Sequence, residues 1–181
     1  MDAALIFLLD SIFTLYTLAV MLRFFLDLAG NKDRFNPITL FLFNISEPVL
    51  RPMRLILPRY GTLDMSALVL IYLLNLAYLH LIYLIMGRAL FLPALLSYGL
   101  VDMALMVANL YTFSLIAQAV LSWINPPYHP ATAMLYQLNA PLLNRAHQIL
   151  PPISGLDLSP ILLLILLQFI KILISGYGSA L

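Results

Sequence analysis

Four stretches of this chain are each long and apolar enough to cross a lipid bilayer, and no other feature constrains the fold as strongly. A helix needs about 20 mostly apolar residues to span the hydrocarbon layer. Ala3 to about Leu28, Ser66 to Met86, about Tyr98 to Trp123, and Pro160 to about Gly176 reach that length. None alternates with period two, which argues against a membrane β-barrel. Of the 181 residues, 63 % are hydrophobic and 9 % charged, against roughly 45–50 % and about 25 % in soluble domains. A single water-facing globule of this size cannot bury so much apolar surface, so the solvent is lipid. The first stretch opens on Asp2 rather than a basic segment and is longer than a signal peptide's core, so it reads as a retained span.

Several function classes lack their chemistry. The net charge is +1 with no basic run, which gives a nucleic-acid partner no electrostatic basis. There is no cysteine, hence no disulfide framework, thiolate metal site or thiol nucleophile. The three scattered histidines do not form a ligand set. Nucleotide-, acyl-transfer and zinc-protease motifs are absent from the sequence, so neither an enzyme nor a cofactor is expected. "SGYGS" at 175–179 echoes a potassium filter, but a filter requires a spanning helix after it.

The chain also repeats itself. "ILPRYGTLDMS" at 56–66 returns as "ILPPISGLDLS" at 149–159, an offset of 93 that also pairs Pro37 with Pro130 and Pro48 with Pro141. Upstream the offset becomes 95 and places "RFFLDL" (23–28) over "QAVLSW" (118–123). The fold expected is an all-α membrane protein, four transmembrane helices arranged as two tandem helix–connector–helix repeats. The first repeat covers 1–86 with its connector at 29–65, and the second covers 98–181 with its connector at 124–159. Residues 87–97 between them are too apolar for a free loop and too short to cross, so they read as an interfacial hairpin.

Each part of the repeated punctuation has a physical role. Pro58 and Pro151 stop a helix, because proline lacks an N–H and disfavours helix in the preceding residue. Gly61 and Gly155 permit a turn. Asp64 with Ser66, and Asp157 with Ser159, offer oxygens to the bare N–H groups that start the next span. Capping is the main reading of these four residues; a cation-binding pair of Asp64 and Asp157 is the sharper alternative. Before each stop lies an apolar segment that opens like a capped helix ("NP" at 36–37) and is broken by prolines at 48 and 52, or at 141. Such broken helices lie in the headgroup layer or re-enter the membrane. Glu47, Arg51, Arg54 and Arg145 mark the connectors as a candidate surface toward lipid or partners.

Ionisable residues within spans are costly and usually paired. Arg23 and Asp27 are four apart on one helix face and are placed to pair locally. Asp10, Lys171 and Asp102 fall in the same leaflet half, and an ion pair among them is the main expectation. A proton or cation path, or snorkelling of Lys171, are the alternatives. Asn75 and His80 suggest hydrogen bonding between helices.

The doubled unit, with "NP", "EPVLRPMRLILP" and "LDMS" in copy one and "AP", "ILPP" and "GLDLSP" in copy two, resembles the YggT family of small bacterial and plastid membrane proteins. Copy two departs from the pattern at Ala140, Asn144 and Arg145. The resemblance implies an integral membrane accessory protein, since relatives are linked to cell division, to cytochrome complex assembly in plastids, and to osmotic or potassium tolerance. It leaves two functions as expectations: a scaffold or assembly factor docking through its connectors, or a small ion transporter or its regulator. The expected partners are the lipid bilayer, other membrane proteins and, as an open alternative, a further copy of the chain. The connectors carry Lys32, Arg34, Arg51, Arg54, Arg59 and Arg145, against Arg88 on the other side. The positive-inside rule therefore puts the connectors in the cytoplasm and both termini in the periplasm of a bacterial inner membrane.

Overall fold

A computed structural model describes residues 2–30, 35–88, 91–124, 129–150 and 157–178. Among them are six helices: α1 (Asp2–Leu28), α2 (Pro37–Met53), α3 (Met65–Ile85), α4 (Leu92–Ile124), α5 (Pro130–Ile149) and α6 (Ser159–Gly178). Two short strands, β1 (Arg59–Tyr60) and β2 (Leu63–Asp64), separate α2 from α3. Helices α1, α3, α4 and α6 contain the four apolar spans, and at most 22 % of each span's most apolar window is buried inside the chain. The remaining apolar surface, including Phe7, Leu15, Phe113 and Ile165, is stable only against lipid. The protein is a multi-pass membrane protein.

The two repeats are built alike. In the first, α1 packs on α3 while α2 lies against both; in the second, α4 packs on α6 while α5 lies against both. Helices α3 and α4 join the repeats, and the connector helices α2 and α5 touch at one end of the bundle. There Asn36 caps α2 by accepting from Ile38 N–H, and its amide donates to the carbonyl of Pro130 at 2.8 Å. His129 caps α5 in the same way, its Nδ1 accepting from Ala131 N–H. The core of the first repeat gathers Val20, Met21, Phe24, Leu50, Leu70 and Ile71, and that of the second Leu115, Leu143, Ala146 and Leu163. A third cluster of Ala19, Leu26, Leu42, Tyr111 and Leu138 binds the repeats together, with the Phe25 and Tyr111 rings edge to face at 5.1 Å.

The structure changes three local expectations. Residues 92–97 are not a hairpin but the first turns of the 33-residue α4. Pro93 sits near the helix start, where its missing N–H is harmless, and nothing in "ALLSYG" interrupts the helix thereafter. Gly99 then lets α3 approach, since a Cβ there would meet the Leu76 side chain at 2.5 Å. The connector helices are not broken either: α2 runs through Pro48 and Pro52, and α5 through Pro141. Proline removes one intrahelical hydrogen bond, and packing against the spans holds the helix across the gap. Finally, α2 ends at Met53, before Pro58, and the repeated punctuation of copy one forms a small hairpin. Arg59 pairs with Asp64 and Tyr60 with Leu63, and Gly61 takes φ +61° in the turn, a conformation that glycine adopts without strain. Pro151 and Gly155, the proline and glycine read for the same roles in copy two, lie outside the described residues, as do Lys32 and Arg34.

Candidate functional site

The first repeat closes a chain of alternating charges under its connector. Arg23, on the last turns of α1, has a side chain only 1 % exposed. Its Nη1 donates to Ser46 Oγ at 2.7 Å, its Nη2 donates to Glu47 Oε2, and its guanidinium lies 3.9 Å from the centre of the Phe43 ring. Glu47 also accepts from Arg54 Nη1, at 2.9 and 3.1 Å on its two oxygens. Arg54 reaches on to Asp64, its Nε donating to Oδ2 at 3.0 Å. The other Asp64 oxygen accepts from Ser66 and Ala67 N–H, capping α3. Beside this chain, Arg59 donates to Asp27 at 3.4 Å. The three arginines and three carboxylates balance, as groups withdrawn from water require.

The expected pairing of Arg23 with Asp27 is therefore replaced. Helix α2 brings Glu47 and Ser46 against the buried arginine, while Asp27 turns to the hairpin's Arg59. Glu47 and Arg54 are not a free docking surface, because each is held by the other. Arg51 and Arg145 are exposed.

The expected ion pair among Asp10, Asp102 and Lys171 does not form. Helix α1 packs on α3, and along the α4–α6 contact Lys171 falls level with Asn109 while Asp102 lies nearer Ser175, so neutral donors satisfy the carboxylates instead. Asp10 accepts from Tyr78 Oη at 2.8 Å, Asp102 from Asn75 Nδ2 at 2.6 Å, and Lys171 Nζ donates to Asn109 Oδ1 at 3.4 Å. Asn75 bridges helices as expected; His80 is exposed.

Burial pushes the Glu47 carboxyl up, but hydrogen bonds and charge from Arg23 and Arg54 outweigh it and hold the group below its ordinary value. Asp64 is likewise lowered: Arg54 and the Ala67 N–H overcome its burial. Carboxylates lowered by folding stabilise the native state above their unfolded pKa, and that contribution disappears as pH falls through the folded values. Thermal unfolding in detergent should thus be flat from pH 7 to about 5 and destabilise below about 4. The double change Glu47→Gln, Asp64→Asn should flatten that acid limb; an undiminished limb would refute the assignment.

The second repeat keeps the geometry and changes the chemistry. Gln118 stands for Arg23, Asn139 for Ser46, Ala140 for Glu47 and His147 for Arg54. Asn139 Nδ2 donates to Gln118 Oε1 at 2.8 Å, and Ser114 Oγ donates to Asn139 Oδ1 at 2.7 Å. His147 Nε2 lies 2.9 Å from Asp157 Oδ2, and Asp157 accepts from Ser159 N–H at 2.9 Å. Ser66 and Ser159 each donate back to the carbonyl before Pro58 or Pro151, Leu57 at 3.4 Å and Leu150 at 3.1 Å. The neutral partners Ser46, Ser114, Gln118 and Asn139 escape a search for charges, although the offsets of 95 and 93 already place Gln118 over Arg23 and Asn139 over Ser46.

The chain is 34 % identical to an uncharacterised protein of Pseudomonas aeruginosa, covering 96 % of this chain and 89 % of the relative. It is 30 % identical to the uncharacterised protein YggT of Escherichia coli, covering 92 % and 87 %. A Vibrio alginolyticus protein shares 32 % identity, covering 92 % and 91 %. No solved structure matches. The CCB3/YggT family model matches residues 3–85 and again 97–178, one match to each repeat. With both repeats matched and relatives aligned over nearly their whole length, this chain belongs to the CCB3/YggT family.

Proposed function

We propose that the protein is a non-catalytic scaffold of the bacterial inner membrane, holding other membrane proteins through its connectors on the cytoplasmic side. The observation that carries this reading is the closure of the charge network: Arg23, Glu47, Arg54 and Asp64 neutralise one another instead of lining a path. Two polar-lined clefts support it further. One, of about 200 Å³, lies beside Gln118 and Asp157, and the other, of about 320 Å³, beside Tyr83, Asp102 and Ser175. Between them on α4 lie the buried residues Ala108, Leu110 and Tyr111, in roughly 15 Å of helix. That packed layer argues against an ion path along the second repeat. The exposed face of α2, with Leu40, Phe41, Ile45 and Val49, offers apolar surface to a partner in the membrane.

The test is a photo-crosslinking residue at Phe41 or Val49 in native membranes. The scaffold reading expects discrete adducts with another membrane protein. Potassium or proton flux through liposomes holding the purified protein, reduced by Asp102→Asn, would overturn it. The orientation has its own check. Alkaline phosphatase fused after Leu181 should be active and a fluorescent protein there dark; the reverse would put the connectors outside and remove cytoplasmic docking.

A further inference from the structure

The repeats differ most where the first is most charged. In the first repeat the Phe43 ring lies on the guanidinium of Arg23, Phe24 packs in the adjoining core, and the Asp27 and Asp64 carboxylates hold Arg59 and Arg54. The equivalent positions of the second repeat are Gln118, Ala119, Tyr136, Ser122 and Asp157, and these line the cavity of about 200 Å³. Shortening Arg to Gln and Phe to Ala opens that space.

The charge balance changes with it. All three arginines of the first network are replaced, Arg23 by Gln118, Arg54 by His147 and Arg59 by Pro152. Two of the three acids are also replaced, Asp27 by Ser122 and Glu47 by Ala140, but Asp157 is kept. The slot thus retains a carboxylate and an aromatic ring at the two positions that hold guanidinium groups in the first repeat: Asp64 on Arg54, Phe43 on Arg23. Asp157 has accepted one hydrogen bond on Oδ1 and faces His147 with Oδ2. A carboxylate offers about four acceptor sites, so lone pairs remain. Tyr136 and Asp157 are both exposed enough to be reached.

We propose that this slot binds a guanidinium group, stacked on Tyr136 and hydrogen-bonded to Asp157, so that an external group occupies in the second repeat the place that Arg23 fills in the first. Guanidinium suits the site better than ammonium because its planar fork combines stacking with paired hydrogen bonds to a carboxylate. The group comes either from an arginine side chain of a partner or from a small free compound; the chemistry is shared. The site is independent of the scaffold reading and stands if that reading fails.

Because the chain has no cysteine, Ser122→Cys introduces a single thiol at the slot, and its labelling rate by a maleimide reports occupancy. Methylguanidinium, titrated against the full protein in detergent, should slow labelling about tenfold at saturation, with a half-effect in the millimolar range expected of so small a ligand. Tetramethylammonium at equal ionic strength should leave the rate unchanged. Asp157→Asn should abolish the protection. Ala119→Phe, which restores the residue of the first repeat, should abolish it by filling the space, with helix content checked by circular dichroism in both variants. A short peptide, acetyl-Leu-Arg-Leu-amide, separates the sources. Protection at about tenfold lower concentration than methylguanidinium supports a partner's arginine, and equal potency supports a free compound. Absence of protection by either probe, or protection undiminished in Asp157→Asn, overturns the proposal.

Discussion

Glu47→Ala lowers the unfolding temperature of the purified protein by roughly 6–12 °C, the equivalent of about 3 kcal/mol in a chain of this size. The cost comes from what remains behind. Arg23 keeps its place in the interior with a side chain 1 % exposed, and alanine leaves that charge with Ser46 and the Phe43 ring but no carboxylate. Arg54 still has Asp64. Breaking a buried pair from one side costs about 3–5 kcal/mol, and the lower end applies because Glu47 itself is 40 % exposed. The second repeat supplies the control. It lives without this pair by placing Gln118 and Ala140 at the same positions, so Arg23→Gln with Glu47→Ala should recover most of the lost temperature. Losses that simply add in the double variant would sink the coupling, since independent sites add and paired sites do not.

Comparing the repeats also explains which features were legible in the chain and which were not. Spans and repeats are legible because they rest on long runs and on matched prolines, which leave marks at a fixed spacing. The caps are legible because Asp64 and Asp157 act on N–H groups two or three residues away. Partnerships across helices depend on which helices become neighbours. Asp10 and Lys171 occupy compatible depths in sequence, but α1 packs on α3 and α6 on α4, so Tyr78 and Asn109 become the partners. Arg23 is the sharper case. Asp27 is its nearest acid in sequence, and only the fold of the connector, running unbroken through Pro48, brings Glu47 closer. Residues 92–97 were illegible for a different reason: a helix N-terminus and a short interfacial segment share the same apolar, proline-bearing composition.

Asp64→Ala should prove far more damaging than Asp157→Ala, although the two residues are equivalent in the repeat and both accept from the N–H two residues on. Asp64 has a side chain 1 % exposed and holds Arg54 as well as the start of α3. Its removal strips a cap, worth about 1 kcal/mol, and leaves Arg54 with Glu47 alone, a buried-pair loss of about 3 kcal/mol. At a membrane boundary the N–H groups of α3 have little water to replace the carboxylate, which adds to the loss. Asp157 is 41 % exposed and faces a histidine, so its removal costs about the cap alone, roughly 1 kcal/mol. In melting temperature the contrast is roughly 8–16 °C against 2–4 °C. Asp64→Asn separates the two contributions, because the amide oxygen still caps α3 while the charge that holds Arg54 is gone; it should fall between the wild type and Asp64→Ala. Insertion should survive in all three variants, because the apolarity of the spans drives it. Equal losses at Asp64 and Asp157 would mean that both act as caps and nothing more, and that the charge network of the first repeat contributes no stability.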